Sequence, residues 1–125
     1  MNRAALMLAA AFLSTAPGAA QRAPVARATI TLESHRFSPA PIYLAGGVSV
    51  RMIFVNRAGK SHDFTAKEFF RSSQILRGRV SGGEVDVAPG RSVVVDLIPT
   101  RGTYKVHCSK FGHRMLGMST MIIVN

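Results

Sequence analysis

Short runs of alternating apolar and polar residues recur along most of the chain, and they constrain its fold more than any other feature. A period of two places every second side chain on the same face of a β-strand. Turn signals such as Ala88-Pro89-Gly90 separate the runs. The runs span residues 30–32, 48–55, 85–87, 92–98, 103–106 and 119–124. Many short strands at regular spacing are typical of a β-sandwich or barrel, and we therefore predict an all-β fold.

One segment, residues 66–76, departs from this pattern. Ala66, Phe69, Phe70 and Ile75 recur there at spacings that suit a short helix. We find no internal repeat and no low-complexity segment elsewhere. The expected architecture is a sandwich with one short helical or irregular excursion.

The first twenty residues resemble an export signal. Met1-Asn2-Arg3 carries a positive charge, residues 4–13 form an apolar run, and Gly18-Ala19-Ala20 offers small residues to a signal peptidase. A transmembrane anchor is the weaker alternative because the apolar run is too short to span a bilayer. We therefore predict that residues 1–20 are a signal peptide, cleaved after Ala20, and that the mature protein is periplasmic.

The remaining chain has the length of a single domain, with a flexible lead-in at residues 21–27 followed by one domain at residues 28–125. Sixteen Lys and Arg against six Asp and Glu give a formal net charge of +10, which bears on association rather than on fold. Nucleic acid is not an expected partner, because no basic repeat is interleaved with aromatic residues. We expect a monomer that meets a redox partner protein with an acidic docking surface, with peripheral contact to an anionic membrane as a further option.

The only cysteine, Cys108, begins a run of metal donors that continues through His113 and Met118 at Cys-x4-His-x4-Met spacing. Sulfur ligands select copper, zinc or iron-sulfur centres, and two His with one Cys and a weak axial Met form the blue-copper set that transfers one electron. A lone cysteine cannot form a disulfide within the chain, so metal ligation would explain a thiol in an exported protein. The alternative is an inert thiol in the core.

Strand parity separates Cys108 from its neighbour His107. Tyr104 and Val106 are the apolar set of this strand, so Cys108 should face the core with them. His107 then faces solvent, where a surface role is expected.

The second imidazole has to come from another part of the chain. His107 is directed outward, and His35 lies in a segment without other donors, where a structural or exposed role is expected. Elimination therefore favours His62, at the start of a strand or turn. Asp63 follows this residue just as Ser109 follows Cys108, and a hydrogen bond between these two neighbours would lock the two loops together.

Two methionines compete for the axial position. Met118 immediately precedes the final strand, which would hold it rigidly, and Gly117 relieves crowding before it. Met115 is closer to His113 and remains the alternative. We favour Met118, with Met115 packing over the site or at its rim.

The chain resembles the cupredoxins, the superfamily of plastocyanin and azurin. The resemblance rests on Phe37-Ser38-Pro39, Ile42, Asn56, Ser61-His62-Asp63-Phe64 and the run from Tyr104 to Met118, followed by a closing strand. It implies a Greek-key β-sandwich with His62, Cys108, His113 and axial Met118 as copper ligands. The chain departs from the family at Asp63, where plastocyanins and azurins usually have Asn.

The expected function is single-electron transfer by one Cu(I)/Cu(II) ion per chain. Copper delivery, storage or resistance is the alternative, favoured by the methionines at positions 115, 118 and 121. Zinc is chemically possible, but a closed zinc site would require a stronger fourth donor than Met. We do not expect an enzyme, because copper oxidases and reductases need further centres with many more histidines.

Overall fold

The part of the chain that the structure describes folds into two five-stranded β-sheets and one short helix. The computed structural model describes residue 11 and residues 23–110 and 117–125. The strands are β1 (Ala26–Leu32), β2 (Phe37–Ser38), β3 (Ile42–Leu44), β4 (Val50–Asn56), β5 (His62–Thr65), β6 (Gln74–Arg77), β7 (Glu84–Val87), β8 (Ser92–Ile98), β9 (Gly102–His107) and β10 (Ser119–Val124), and the helix is α1 (Lys67–Ser72). The predicted all-β fold is confirmed. Over the described ranges, no helix has the length and apolar character needed to cross a membrane.

The two sheets draw their strands from both halves of the chain. The first has the order β2-β1-β4-β8-β6 and the second the order β3-β10-β9-β5-β7. The β1–β4 and β3–β10 pairs are parallel, whereas the other strand pairs are antiparallel. The first and last strands of the domain are therefore tied to strands distant in sequence. The first sheet takes its strands from residues between Ala26 and Ile98, and the second from residues between Ile42 and Val124.

Alternation along the strands builds the core between the sheets. In β4, Met52 and Phe54 are fully buried, whereas Arg51 and Ile53 on the opposite face are partly exposed. Phe64 of β5 joins the sheets through ring contacts with Phe37, Phe54 and Phe70, at centroid separations of 5.5, 4.8 and 6.1 Å. Removing such a ring would leave a large cavity.

The helix is shorter than the sequence pattern predicts. α1 ends at Ser72 because Ser73 is extended, with φ −86° and ψ 151°, while its N–H still bonds the carbonyl of Phe69 at 3.1 Å. The last three residues of the predicted segment lie in strand β6, where Ile75 pairs with Leu97 of β8. The apolar spacing that predicts one helix therefore extends over a helix and the start of a strand. Pairing of β6 with β8 overrides the helical pattern in the second of these elements.

An ion pair on the outer face of the first sheet gives folding an acid dependence. Arg51 Nε and Nη2 donate to the two carboxylate oxygens of Asp96 at 2.8 and 2.9 Å. These hydrogen bonds lower the pKa of Asp96 below its usual value, against the opposing effect of burial. The pair therefore stabilises the fold above the unfolded-state pKa of about 3.9, and this contribution is lost as the pH falls through the folded-state value.

We expect Asp96→Asn to be less stable than the parent protein at pH 7. The difference between the two should shrink as the pH falls below about 4, because protonation of Asp96 removes the same ion pair from the parent. Urea denaturation at a series of pH values measures this. Glu68→Gln, which removes an exposed carboxylate paired with Arg71, is the control and should change the midpoint little. A constant difference across the pH range would contradict the prediction.

Candidate metal centre

His62 is held in place by the loop that precedes it. Asn56, at the end of β4, is buried, and its Nδ2 donates to the carbonyls of Lys60 at 2.8 Å and Val87 at 2.9 Å. Its Oδ1 accepts from the N–H of Ala58 at 2.8 Å. One amide thus joins β4, the loop and β7, so the loop delivers the buried His62 to a defined position at the start of β5.

Cys108 and Met118 lie side by side at the base of the second loop. The N–H of Cys108 donates to the carbonyl of Met118 at 3.1 Å, directly beyond the β9–β10 pair His107 and Ser119. Both Cys108 and Met118 are fully buried. The antiparallel pairing of β9 and β10 therefore brings the two sulfur-bearing residues together at the same end of the sheet.

The imidazole and the thiol converge in the interior. Nδ1 of His62 lies 3.8 Å from Sγ of Cys108, and the N–H of Asp63 donates to the same sulfur at 3.5 Å. Imidazole and thiolate bonds to zinc are about 2.0 and 2.3 Å long, so an ion between these two atoms, which are 3.8 Å apart, would lie within bonding distance of both. An imidazole and a thiolate are two of the four donors of a type 1 copper site, and these two side chains could hold such an ion together.

The strands that carry these two ligands barely pair with each other. The only register pair between β5 and β9 is Thr65 with His107. Nearer the site, the side chain of Asp63 joins the two segments instead. Its Oδ1 accepts from the N–H of Ser109 at 2.8 Å and from Thr65 Oγ1 at 2.6 Å, and its Oδ2 accepts from the hydroxyl of Ser109. The predicted Asp63–Ser109 hydrogen bond is present, and it clamps the two strands where their backbones separate.

Burial determines the electrostatics of the sulfur. Desolvation raises the pKa of the Cys108 thiol above its ordinary value, although the N–H groups of Asp63 and Lys110 act in the opposite direction. The protein alone therefore favours the neutral thiol at pH 7. A cation at the sulfur reverses this preference, because a coordinating thiol loses its proton.

The other histidines and the second methionine are placed differently. His35 is exposed in the connection between β1 and β2, as expected. His107 is partly buried and, by strand alternation, on the face opposite Cys108. The predicted ligand His113 and the alternative methionine Met115 lie outside the described residues. Of the predicted ligands, the described part of the chain thus places His62, Cys108 and Met118 at one end of the second sheet.

The sequence did not indicate two further features beside the site. The first is the role of Asn56, whose side chain bonds both the loop before His62 and strand β7. The second is a group of carboxylates at Asp63, Glu84 and Asp86, whose oxygens lie within 4.8 Å of one another. Lys110 Nζ lies 3.2 Å from Asp86 and offsets part of this negative charge. Only the β5–β7 register, which pairs Asp63 with Asp86, brings these residues together.

Solved structures of an auracyanin and of two multicopper oxidases share this fold. Auracyanin B superposes with a TM-score of 0.61 at 17% identity, covering 85% of this chain and 93% of that one. A multicopper oxidase from Campylobacter jejuni gives a TM-score of 0.64 at 14% identity, covering 85% of this chain and 31% of the oxidase. McoA multicopper oxidase from the hyperthermophile Aquifex aeolicus gives 0.61 at 19% identity, with 79% and 29% covered. At these identities the likeness shows the fold alone, and the chain spans about a third of either oxidase.

Sequence comparison identifies the family directly. No curated protein matches the chain. The model of the cupredoxin-like domain, in contrast, matches residues 4–124, which is nearly the whole sequence. With two β-sheets and a buried His62–Cys108 pair at one end of them, the chain belongs to the cupredoxin-like domain family.

Proposed function

We propose that the protein binds one copper ion through His62, Cys108, His113 and axial Met118 and transfers single electrons between redox partners. The observation that carries this proposal is the 3.8 Å separation of His62 Nδ1 and Cys108 Sγ in the buried end of the second sheet. Copper bound by such a set alternates between Cu(I) and Cu(II). The family membership and the likeness to auracyanin B support the same proposal.

The surrounding residues suit electron transfer because they resist rearrangement. Asn56 fixes the loop before His62, and Asp63 fixes Ser109 next to Cys108. Ligands held in this way keep nearly the same positions in both oxidation states, so little reorganisation accompanies each transfer. Burial of His62 and Cys108 also excludes water from the donors.

The cellular setting is part of the proposal. Residues 1–20 act as a cleaved signal, and the mature monomer works in the periplasm. Its partner is a redox protein with an acidic docking surface, which the formal charge of +10 would attract. The signal-like composition of the first twenty residues and this charge support that setting.

Copper loading tests the proposal. One equivalent of Cu(II) added to the purified protein should produce an intense visible absorption band and a paramagnetic resonance spectrum with a small copper hyperfine splitting. Metal analysis should give one copper per chain. His35→Ala, which removes an exposed imidazole, is the control and should behave like the parent. A copper-loaded protein without a thiolate-to-copper band would rule out the type 1 assignment.

Copper delivery is the second candidate, because three methionines occur at positions 115, 118 and 121 and thioethers suit Cu(I). A redox titration and a transfer assay separate the two functions. A reversible couple with slow loss of Cu(I) to a competing chelator supports electron transfer. Rapid handover of Cu(I) to the chelator supports delivery instead.

A further inference from the structure

Three arginines and one aspartate form a row across four strands on the outer face of the first sheet. Arg27 in β1 pairs in register with Arg51 in β4. Arg51 also pairs with Asp96 in β8, and Asp96 pairs with Arg77 in β6. Register partners project from the same face of a sheet. The β6–β8 register shifts between Ile75 and Arg77, but Arg77 lines one cavity with Arg51 and Asp96, and the charges of Arg27 and Arg77 both act on Asp96. The four side chains therefore lie close together on this face.

The row carries an excess of positive charge. Asp96 uses both carboxylate oxygens for Arg51. Arg27 and Arg77 are exposed, and neither forms an ion pair with any residue in the described part of the chain. Three guanidinium groups against one carboxylate leave two positive charges that only solvent or a bound anion can offset.

A cavity of about 420 Å³ opens beside the row. It lies within the size range of small-ligand sites, which combine apolar walls with a few polar groups. Its polar groups are Ser49, Arg51, Arg77 and Asp96, and its apolar walls are Ala23, Pro24, Leu76 and Ile98.

The ion pair prepares Arg51 to bind a second anion. A guanidinium has five N–H donors in a rigid fork. Two of them go to Asp96, so three remain, and the bidentate contact fixes the plane in which they lie. Arg77, at the other side of Asp96, adds a second guanidinium to the same cavity.

We propose that this cavity binds an oxyanion, a carboxylate or phosphate group carried by a small apolar body, between Arg51 and Arg77. The guanidinium groups take the oxyanion, and Leu76 and Ile98 contact the apolar body. The site is remote from the metal centre. Arg51 is five residues from Asn56 along β4, or roughly 17 Å at the usual rise of a strand. A ligand here leaves the metal end open, and the proposal does not depend on copper binding.

Titration with inorganic phosphate and with butyrate, at constant ionic strength, tests the site. Two-dimensional NMR should show saturable shifts at Ser49 and at the side-chain N–H groups of Arg51. Arg77→Gln should weaken binding about tenfold, because a charge-assisted contact is lost. Arg91→Gln removes the same charge from an exposed turn and should leave the affinity nearly unchanged.

Vesicles distinguish a free anion from a lipid headgroup. Anionic phosphatidylglycerol vesicles and neutral phosphatidylcholine vesicles are compared at equal lipid phosphate. Tighter, Arg77-dependent binding to the anionic vesicles identifies a headgroup as the source. Saturation by soluble phosphate or butyrate without that vesicle binding identifies a free anion. Equal weakening by Arg77→Gln and Arg91→Gln, or the absence of any saturable shift together with no Arg77-dependent binding to vesicles, would overturn the proposal.

Discussion

Replacing Cys108 with serine is expected to remove essentially all of the visible absorption of the copper-loaded protein. The band requires a thiolate bonded to Cu(II), and Cys108 supplies the only thiol in the chain. A serine hydroxyl is a hard, neutral donor that binds copper far more weakly than thiolate does. We expect the Cu(II) affinity to fall at least tenfold, as measured by competition with a chelator of known affinity. The fold should persist because the two side chains are similar in size.

His107→Ala is the matched control for this substitution. His107 is the chain neighbour of Cys108 but lies on the opposite face of β9, so its loss should leave the band in place. His62→Ala should instead bleach the blue colour, because Nδ1 of His62 lies 3.8 Å from the Cys108 sulfur. A spectrum that survives His62→Ala would show that another residue provides the imidazole.

Replacing Asp63 with alanine is expected to destabilise the protein and to loosen the metal centre at once. The substitution removes the acceptor of three hydrogen bonds, two from Ser109 and one from Thr65, in a buried position. At about 1 kcal/mol for each lost bond, the free energy of unfolding should fall by about 3 kcal/mol. Denaturant unfolding of the copper-free protein measures this loss.

Asp63→Asn distinguishes the hydrogen bonds from the charge. The amide oxygen can still accept from the N–H of Ser109, so this variant should recover a large part of the lost stability. In the copper-loaded protein, Asp63→Ala should also broaden the paramagnetic resonance spectrum, because Ser109 no longer fixes the position of Cys108. Equal losses in the alanine and asparagine variants would indicate that the negative charge, and not the clamp, matters.

Strand alternation correctly predicted which side chains in β9 and directly after it face the core. In β9, Val106 is buried and Lys105 is exposed, and Cys108, directly after the strand, is buried, as the apolar pattern indicated. The pattern is reliable there because that strand has one solvent-facing side. Strand β5 has no solvent-facing side, because all four of its residues are buried: His62, Asp63, Phe64 and Thr65. No alternation of apolar and polar residues therefore marks it as a strand. The sequence therefore predicted His62 by elimination among histidines and not by recognition of its strand.

Sequence patterns missed the parts of the site that depend on which strands are neighbours in the sheets. Asn56 bonds Val87, which is 31 positions away, and Glu84 reaches Asp63 only through the β5–β7 register. A single sequence indicates which residues face inward but not which strand lies next to which. The register is settled by packing of the whole sandwich, which no local pattern encodes.

The near absence of pairing between β5 and β9 has a mechanical consequence. β9 is bonded along its length to β10, and β5 to β7, so His62 and Cys108 belong to two halves of the sheet that share one register pair. An ion held by both residues would join points 46 positions apart in the sequence. In a chain with one cysteine, such a cross-link would take the place of a disulfide, and metal loss would leave the two halves joined by the Thr65–His107 pair and the Asp63–Ser109 hydrogen bonds.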